Sequence, residues 1–72
     1  MEYRQFLSKR IFELRKRKGL TQSQLGKEVG LSHKSISTIE SEDSSTSIEK
    51  LILLAKFFDV STDYLLGLKD EP

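Results

Sequence analysis

The sequence predicts an all-α domain of five short helices, and three observations predict it. Apolar residues recur every three or four positions in five successive segments. The segment boundaries carry residues that start or stop helices, with Thr or Ser before a segment or Gly after it. No stretch alternates apolar and polar residues as a half-buried strand would, and the single proline is the last residue, Pro72, where it breaks no helix. A chain of 72 residues makes one domain with a modest core.

The first helix is expected from about Tyr3 to Lys18. Leu7, Ile11 and Leu14 stand at helical spacing, and Gly19 is placed for a left-handed cap. The second starts at Thr21, because Thr21-x-x-Gln24 is a capping-box pattern; Leu25 and Val29 give its apolar stripe and Gly30 ends it. The third follows Ser32, a favoured N-cap, and turns Ile36 and Ile39 inward. Ser41-Glu42-Asp43-Ser44-Ser45-Thr46 is polar and reads as a loop. The fourth covers about Ile48 to Phe58, with Thr46-x-x-Glu49 as a second capping box and a stripe of Ile48, Leu51, Leu54, Ala55 and Phe58. The fifth runs from about Thr62 to Leu66, capped by Ser61, with Asp63 at the positive end of its dipole and Gly67 as its stop. Residues 1–67 therefore form the domain, and residues 68–72 a tail expected to fray. One core is expected from Leu7, Ile11, Leu14, Leu25, Val29, Ile36, Ile39, Leu51, Ala55, Phe58, Val60 and Leu65.

Composition narrows the function. There is no cysteine, so disulfides, zinc–thiolate sites and cysteine nucleophiles are excluded, and a reducing cytoplasm is the expected compartment. No apolar run approaches a membrane span, and Glu2 and Arg4 do not read as a secretory signal. His33 is the only histidine, which argues against a metal site or an acid–base pair. No nucleophile–base set, phosphate-binding glycine loop or metal spacing appears, so no enzyme, cofactor or small-molecule substrate is expected. The net charge of +1 hides an asymmetry: residues 1–34 carry nine Lys/Arg against three Asp/Glu, and residues 35–72 three against eight. Such a split suits one surface that meets an anionic partner, or simply two solvated faces.

The informative segment is Gln22 to Glu40. Leu25 and Val29 point one helix into the core. Gly26 is small where another helix must come close, and Gly30 can take the positive φ of a tight turn. Leu31 plugs the turn, and Ile36 and Ile39 seat the next helix. Its outer face, His33, Lys34, Ser35, Ser37, Thr38 and Ser41, is polar and suits the major groove of B-form DNA.

The run Leu20-Thr21-Gln22-x-x-Leu25-Gly26-x-x-Val29-Gly30-Leu31-Ser32, followed by Ile36-Ser37-x-Ile39-Glu40, resembles the phage Cro/repressor (XRE) helix-turn-helix family. The likeness continues through Ile48-x-x-Leu51-x-x-Leu54-Ala55-x-x-Phe58-x-Val60-Ser61-x-x-Tyr64-Leu65-Leu66-Gly67. It implies a five-helix, lambda-repressor-like fold with the helix-turn-helix at the second and third helices. It also implies sequence-specific binding of double-stranded DNA by a transcriptional regulator, most simply a repressor, acting as a homodimer on a palindromic operator. By the same resemblance His33, Lys34 and Thr38, with Ser37 beside them, read base edges, and Gln22 contacts a phosphate and braces the recognition helix. The hydroxyls of Thr21, Ser35 and Ser41 add uncharged phosphate contacts. Arg15 and Glu40 match a pair that ties the first helix to the end of the third, and an arginine fork and a carboxylate beside core residues are better paired than alone.

Two features depart from the family pattern. Gly26 stands where alanine is usual, at a helix-propensity cost of about 1 kcal/mol. The family often has Asn-Gly-Lys/Arg after the third helix, and this chain has Ser41-Glu42-Asp43-Ser44, whose carboxylates oppose phosphates. A protein-interaction module that keeps the fold with weakened DNA contacts is the alternative function. The run Arg15-Lys16-Arg17-Lys18 is either a phosphate-facing patch or a solvated helix end. Phe12 and Phe57 lie off the stripes and either cover neighbouring side chains or face a partner. Phe57, with the apolar side chains near Tyr64 and Leu66, is the expected dimer surface.

Overall fold

The computed structural model describes residues 2–42 and 46–72. Its five helices are α1 (Tyr3–Arg17), α2 (Gln22–Val29), α3 (His33–Glu40), α4 (Ile48–Phe58) and α5 (Thr62–Leu66), and the described residues hold no strand. The caps explain the boundaries. Thr21 Oγ1 accepts from Gln24 N at 3.1 Å and Gln24 Oε1 accepts from Thr21 N at 2.8 Å, so the first capping box closes. Ser32 and Ser61 each accept from the backbone N–H three residues on. Gly30 and Gly67 take the left-handed conformation that ends α2 and α5.

The second expected capping box does not form. Ser47, not Thr46, caps α4, its hydroxyl accepting from Lys50 N at 3.2 Å. Thr46 Oγ1 is buried and has no partner among the described residues. Ser and Thr are near-equal caps, so the turn before a helix, rather than propensity, decides which of two adjacent hydroxyls aligns with it.

Among the described residues ten side chains form the core: Leu7, Ile11, Leu25, Val29, Ile36, Ile39, Leu54, Ala55, Phe58 and Leu65. Leu14, Leu51 and Val60, expected inside, are half-buried and pack against its edge. Leu54 takes the central place on α4, fully buried. Ile48 leaves the stripe altogether at 74% exposure, on a side of the first turn of α4 other than the one Lys50 turns to Ser35 of α3. α1 packs on α3 and α5, α2 on α3 and α4, and α4 on α5.

The residues after α5, expected to fray, have contacts of their own. Leu68 N donates to Asp63 O at 2.8 Å, and Ser61 N donates to Pro72 O at 2.9 Å. Arg10 of α1 donates to the carbonyls of Tyr64 and Lys69 and lies over the Tyr64 ring, 4.2 Å from its centroid.

The backbone holds removable strain at Asp59. Asp59 ends α4 at φ 55°, a left-handed conformation that costs a residue with a Cβ roughly 1–2 kcal/mol, and its carboxylate faces the negative end of the helix dipole. Asp59→Gly is expected to stabilise the domain by up to about 1 kcal/mol, after allowing for glycine's greater freedom when unfolded. Thermal unfolding of the two proteins tests this, and an unchanged or lower midpoint counts against it.

Candidate nucleic-acid interface

The α2–α3 turn positions the site. Gly30 turns the chain, and Leu31 N donates back to Gly26 O at 2.7 Å. A Cβ at residue 26 would lie 2.5 Å from Leu31 O. That approach is why glycine stands here: the turn carbonyl occupies the space a methyl group would need. The propensity lost in α2 is exchanged for a tighter turn, which fixes α3 relative to α2.

α3 then presents a graded face. His33 and Lys34 in its first turn are exposed, and Ser37 and Thr38 are half-buried one turn on. The other sequence-named residues are more committed to the protein itself. Thr21 spends its hydroxyl on the α2 cap. Ser35 Oγ accepts from Ser32 Oγ at 3.1 Å and from Lys50 Nζ at 3.3 Å. Ser41 Oγ donates to Thr38 O at 2.7 Å.

Behind this face runs a continuous polar chain. Arg15 and Glu40 form a two-pronged pair, Nε to Oε2 at 2.7 Å and Nη2 to Oε1 at 2.8 Å, with side chains only 9% and 6% exposed. Arg15 Nη1 also donates to Leu20 O at 2.8 Å, so α1, the α1–α2 turn and α3 meet at one guanidinium. The hydrogen bonds to Glu40 raise the Arg15 pKa above its ordinary value; burial opposes this and the carboxylate's charge reinforces it. Gln22 Nε2 donates to Glu40 Oε1 at 3.1 Å, and Gln22 Oε1 lies 3.0 Å from His33 Nε2. Gln22 thus links the buried pair to the exposed histidine.

The cationic run in α1 divides. Arg15 turns inward, while Lys16, Arg17 and Lys18 stay exposed. Lys16 and Arg15 lie over the ring of Phe12, and Lys18 over Phe57. On the expected dimer surface Phe57, Tyr64 and Leu66 are all half-buried, the first two packed against the core. The exposed apolar side chains of α4 are Ile48, Ile52 and Leu53 instead. Glu42 is exposed, whereas Asp43 and Ser44 of the acidic loop lie outside the described residues.

Lys50 was not among the site residues read from the sequence. It stands in the first turn of α4 and lines, with Lys34, Ser35, Thr38 and Ser47, a cleft of about 300 Å³ between α3 and α4. Its sequence signal is slight: one lysine on an amphipathic helix reads as solvent-facing until α4 is seen against the recognition helix. Among the described residues no group of three or more His, Cys, Asp or Glu could hold a metal, and no helix is long and apolar enough to cross a membrane.

The helix-turn-helix family profile matches residues 11–65, which take in all of α2, α3 and α4. The chain belongs to the helix-turn-helix family. Several relatives share its sequence across the whole helix-turn-helix domain. The uncharacterized HTH-type transcriptional regulator YobD of Bacillus subtilis is 41% identical over 63 residues, covering 88% of this chain and 56% of its own. The HTH-type transcriptional regulator ImmR of the same organism is 35% identical over 65 residues, covering 90% and 50%. An uncharacterized HTH-type transcriptional regulator of Rickettsia conorii is 32% identical over 66 residues, covering 90% and 53%. The chain spans about half the length of these relatives. No solved structure matches it at a significant level.

Proposed function

We propose that this helix-turn-helix domain binds double-stranded DNA sequence-specifically and serves transcriptional regulation, most simply as a repressor. The observation that carries the reading is the braced face of α3: exposed His33 and Lys34 on a short helix fixed from behind by Gln22, Glu40 and Arg15. A side chain that reads a base must be held in place before it meets the groove, and this chain of bonds does that. The relatives named as transcriptional regulators support the same reading, and a regulator of a bacterial genome works in the cytoplasm.

Lys34 is long, cationic and exposed, and it donates to guanine O6 or N7. Ser37 and Thr38 lie deeper on the same helix and take the neighbouring base edges. Lys50, with the hydroxyl of Ser35 and the remaining Nε2–H of Gln22, holds the phosphate backbone; Ser41 joins them by exchanging its bond to Thr38 O for one to phosphate, and Thr21 contributes its exposed position at the start of α2. One recognition helix reads only a few base pairs, so two copies on a palindrome with half-sites about 34 Å apart supply the missing specificity.

A second reading, a protein-interaction domain, is favoured by one observation: the exposed Ile48, Ile52 and Leu53 on α4. Selection of bound duplexes from a random pool, followed by affinity measurements across salt, separates the two. DNA binding should weaken steeply with salt, by a log–log slope of about 0.9 for each phosphate contact. Lys50→Ala should lower affinity evenly across sequences and reduce that slope by about 1, whereas Lys34→Ala should lose about 1–3 kcal/mol of discrimination at one base pair. An even loss with Lys34→Ala moves that residue to the backbone. A protein that enriches no sequence and shows no salt-dependent binding removes the DNA reading.

A further inference from the structure

We propose that His33 reads its base as a hydrogen-bond acceptor: Nδ1 takes the exocyclic amino group of an adenine or cytosine and rejects the keto oxygens of guanine and thymine. This rests on the DNA-binding reading above and settles which tautomer the histidine brings to it.

Glu40 starts the sequence of constraints. Both oxygens of its carboxyl group accept from Arg15 in the two-pronged bond, so the face it turns to Gln22 is an acceptor. Glu40 Oε1 also lies 3.1 Å from the Gln22 amide nitrogen. Turning that amide over would set an amide oxygen against a carboxylate oxygen, two acceptors facing each other. The orientation of Gln22 is therefore fixed by charge, with Nε2 toward Glu40 and Oε1 toward His33. Gln22 Oε1 stands 3.0 Å from His33 Nε2, and an amide oxygen cannot donate. His33 Nε2 must then carry the proton. A neutral imidazole has one N–H, so Nδ1 is left as a bare acceptor on an exposed ring at the start of α3.

The major groove offers adenine N6 and cytosine N4 as amino donors, and guanine O6 and N7, adenine N7 and thymine O4 as acceptors. A bare Nδ1 bonds the amino groups and is repelled by the keto oxygens. Lys34, its neighbour, has donors only. Adjacent residues thus ask for opposite things: an amino group at one position and an acceptor such as guanine O6 at the next. The buried Arg15–Glu40 pair, which touches no DNA, determines the first of these demands through Gln22, a positioning residue.

Nitrogen NMR of the free protein reads the tautomer directly, because His33 is the only histidine. At pH 8, chosen to keep imidazole neutral, the wild type should show a protonated Nε2 and a bare Nδ1. Gln22→Ala removes the acceptor and should shift the ring toward a mixture of tautomers. A protonated Nδ1 in the wild type, or the same tautomer ratio in Gln22→Ala, overturns the proposal. In the second arm, wild type and His33→Ala are measured on the selected duplex and all its single-pair substitutions. The position whose preference His33→Ala erases should accept adenine or cytosine on the contacted strand and disfavour guanine and thymine by roughly 5- to 100-fold. A guanine or thymine preference there overturns the base assignment. If no duplex binds at all, the DNA-binding function and the base assignment fall together, and the ring signals separately show whether the brace was right.

Discussion

Glu40→Ala is expected to destabilise the domain by roughly 3–5 kcal/mol, the range for removing one partner of a buried ion pair. Arg15 would keep its bond to the Leu20 carbonyl but lose both carboxylate contacts at a site where its side chain is only 9% exposed. For a domain of this size each kcal/mol moves the unfolding midpoint by about 4–8 °C, so a fall of roughly 12–40 °C follows. Small domains are stabilised by only about 5–15 kcal/mol in total, which leaves such a variant near the edge of folding. The arithmetic differs if both partners go. Arg15→Met combined with Glu40→Leu removes the charges together, and much of the lost stability should return. The double variant would still lack the carboxylate that orients Gln22, so it should fold and yet bind its selected duplex less selectively. Thermal unfolding followed by circular dichroism, with binding measured on the same samples, checks both parts. A midpoint within about 3 °C of wild type for Glu40→Ala would show that the pair contributes little.

Gly26→Val should cost about 3 kcal/mol, through the turn rather than the core. The new Cβ would sit 2.5 Å from the Leu31 carbonyl oxygen, and that atom is backbone, so no rotamer change relieves the clash. Either the Leu31 N to Gly26 O bond opens or α3 shifts away from α2. Better helix propensity at residue 26 offsets part of the loss, at most about 1 kcal/mol. Gly26→Ala should fall between valine and the wild type. The measurable signature is paired: stability falls, and DNA affinity falls further than the unfolded fraction accounts for, because α3 is displaced in the molecules that do fold. Unchanged stability in Gly26→Val would mean that the turn relaxes at no cost and that the close approach is incidental.

The helices were legible because their signals are local. Thr21 with Gln24, Ser32, Ser61, Gly30 and Gly67 each mark an end by chemistry that acts within a turn. Leu25, Val29, Ile36 and Ile39 repeat at a spacing that only a helix places on one face. The family likeness, not spacing, named Arg15 and Glu40 as partners, since 25 residues separate them. What escaped sequence reading depends on where helices sit relative to one another. Ile48 has the right period but is left exposed, with no neighbouring helix among the described residues covering it. Thr46 and Ser47 are equivalent as caps until the path of the turn chooses. Lys50 becomes a candidate only when α4 is laid beside α3. For Gln22, expected to contact a phosphate and brace the recognition helix, the sequence did not show which groups it engages inside the protein: Glu40 through Nε2 and His33 through Oε1.

The contacts of Arg10 with the Tyr64 and Lys69 carbonyls join positions 54 and 59 residues apart, which closes nearly the entire chain into one loop. Ring closure of that length must precede any gain from the bonds it permits, although its entropy rises only with the logarithm of the span. The Gln22–His33 contact closes only 11 residues, and the packing of α2 on α3 is similarly short-range. The closure entropy is therefore smaller for α2 on α3 than for the seam of α1 with α5. The long closure thus falls on the seam between α1 and α5 and the short one on the pair that presents His33 and Lys34, while Arg15 of α1, bonded to Glu40, ties the two together.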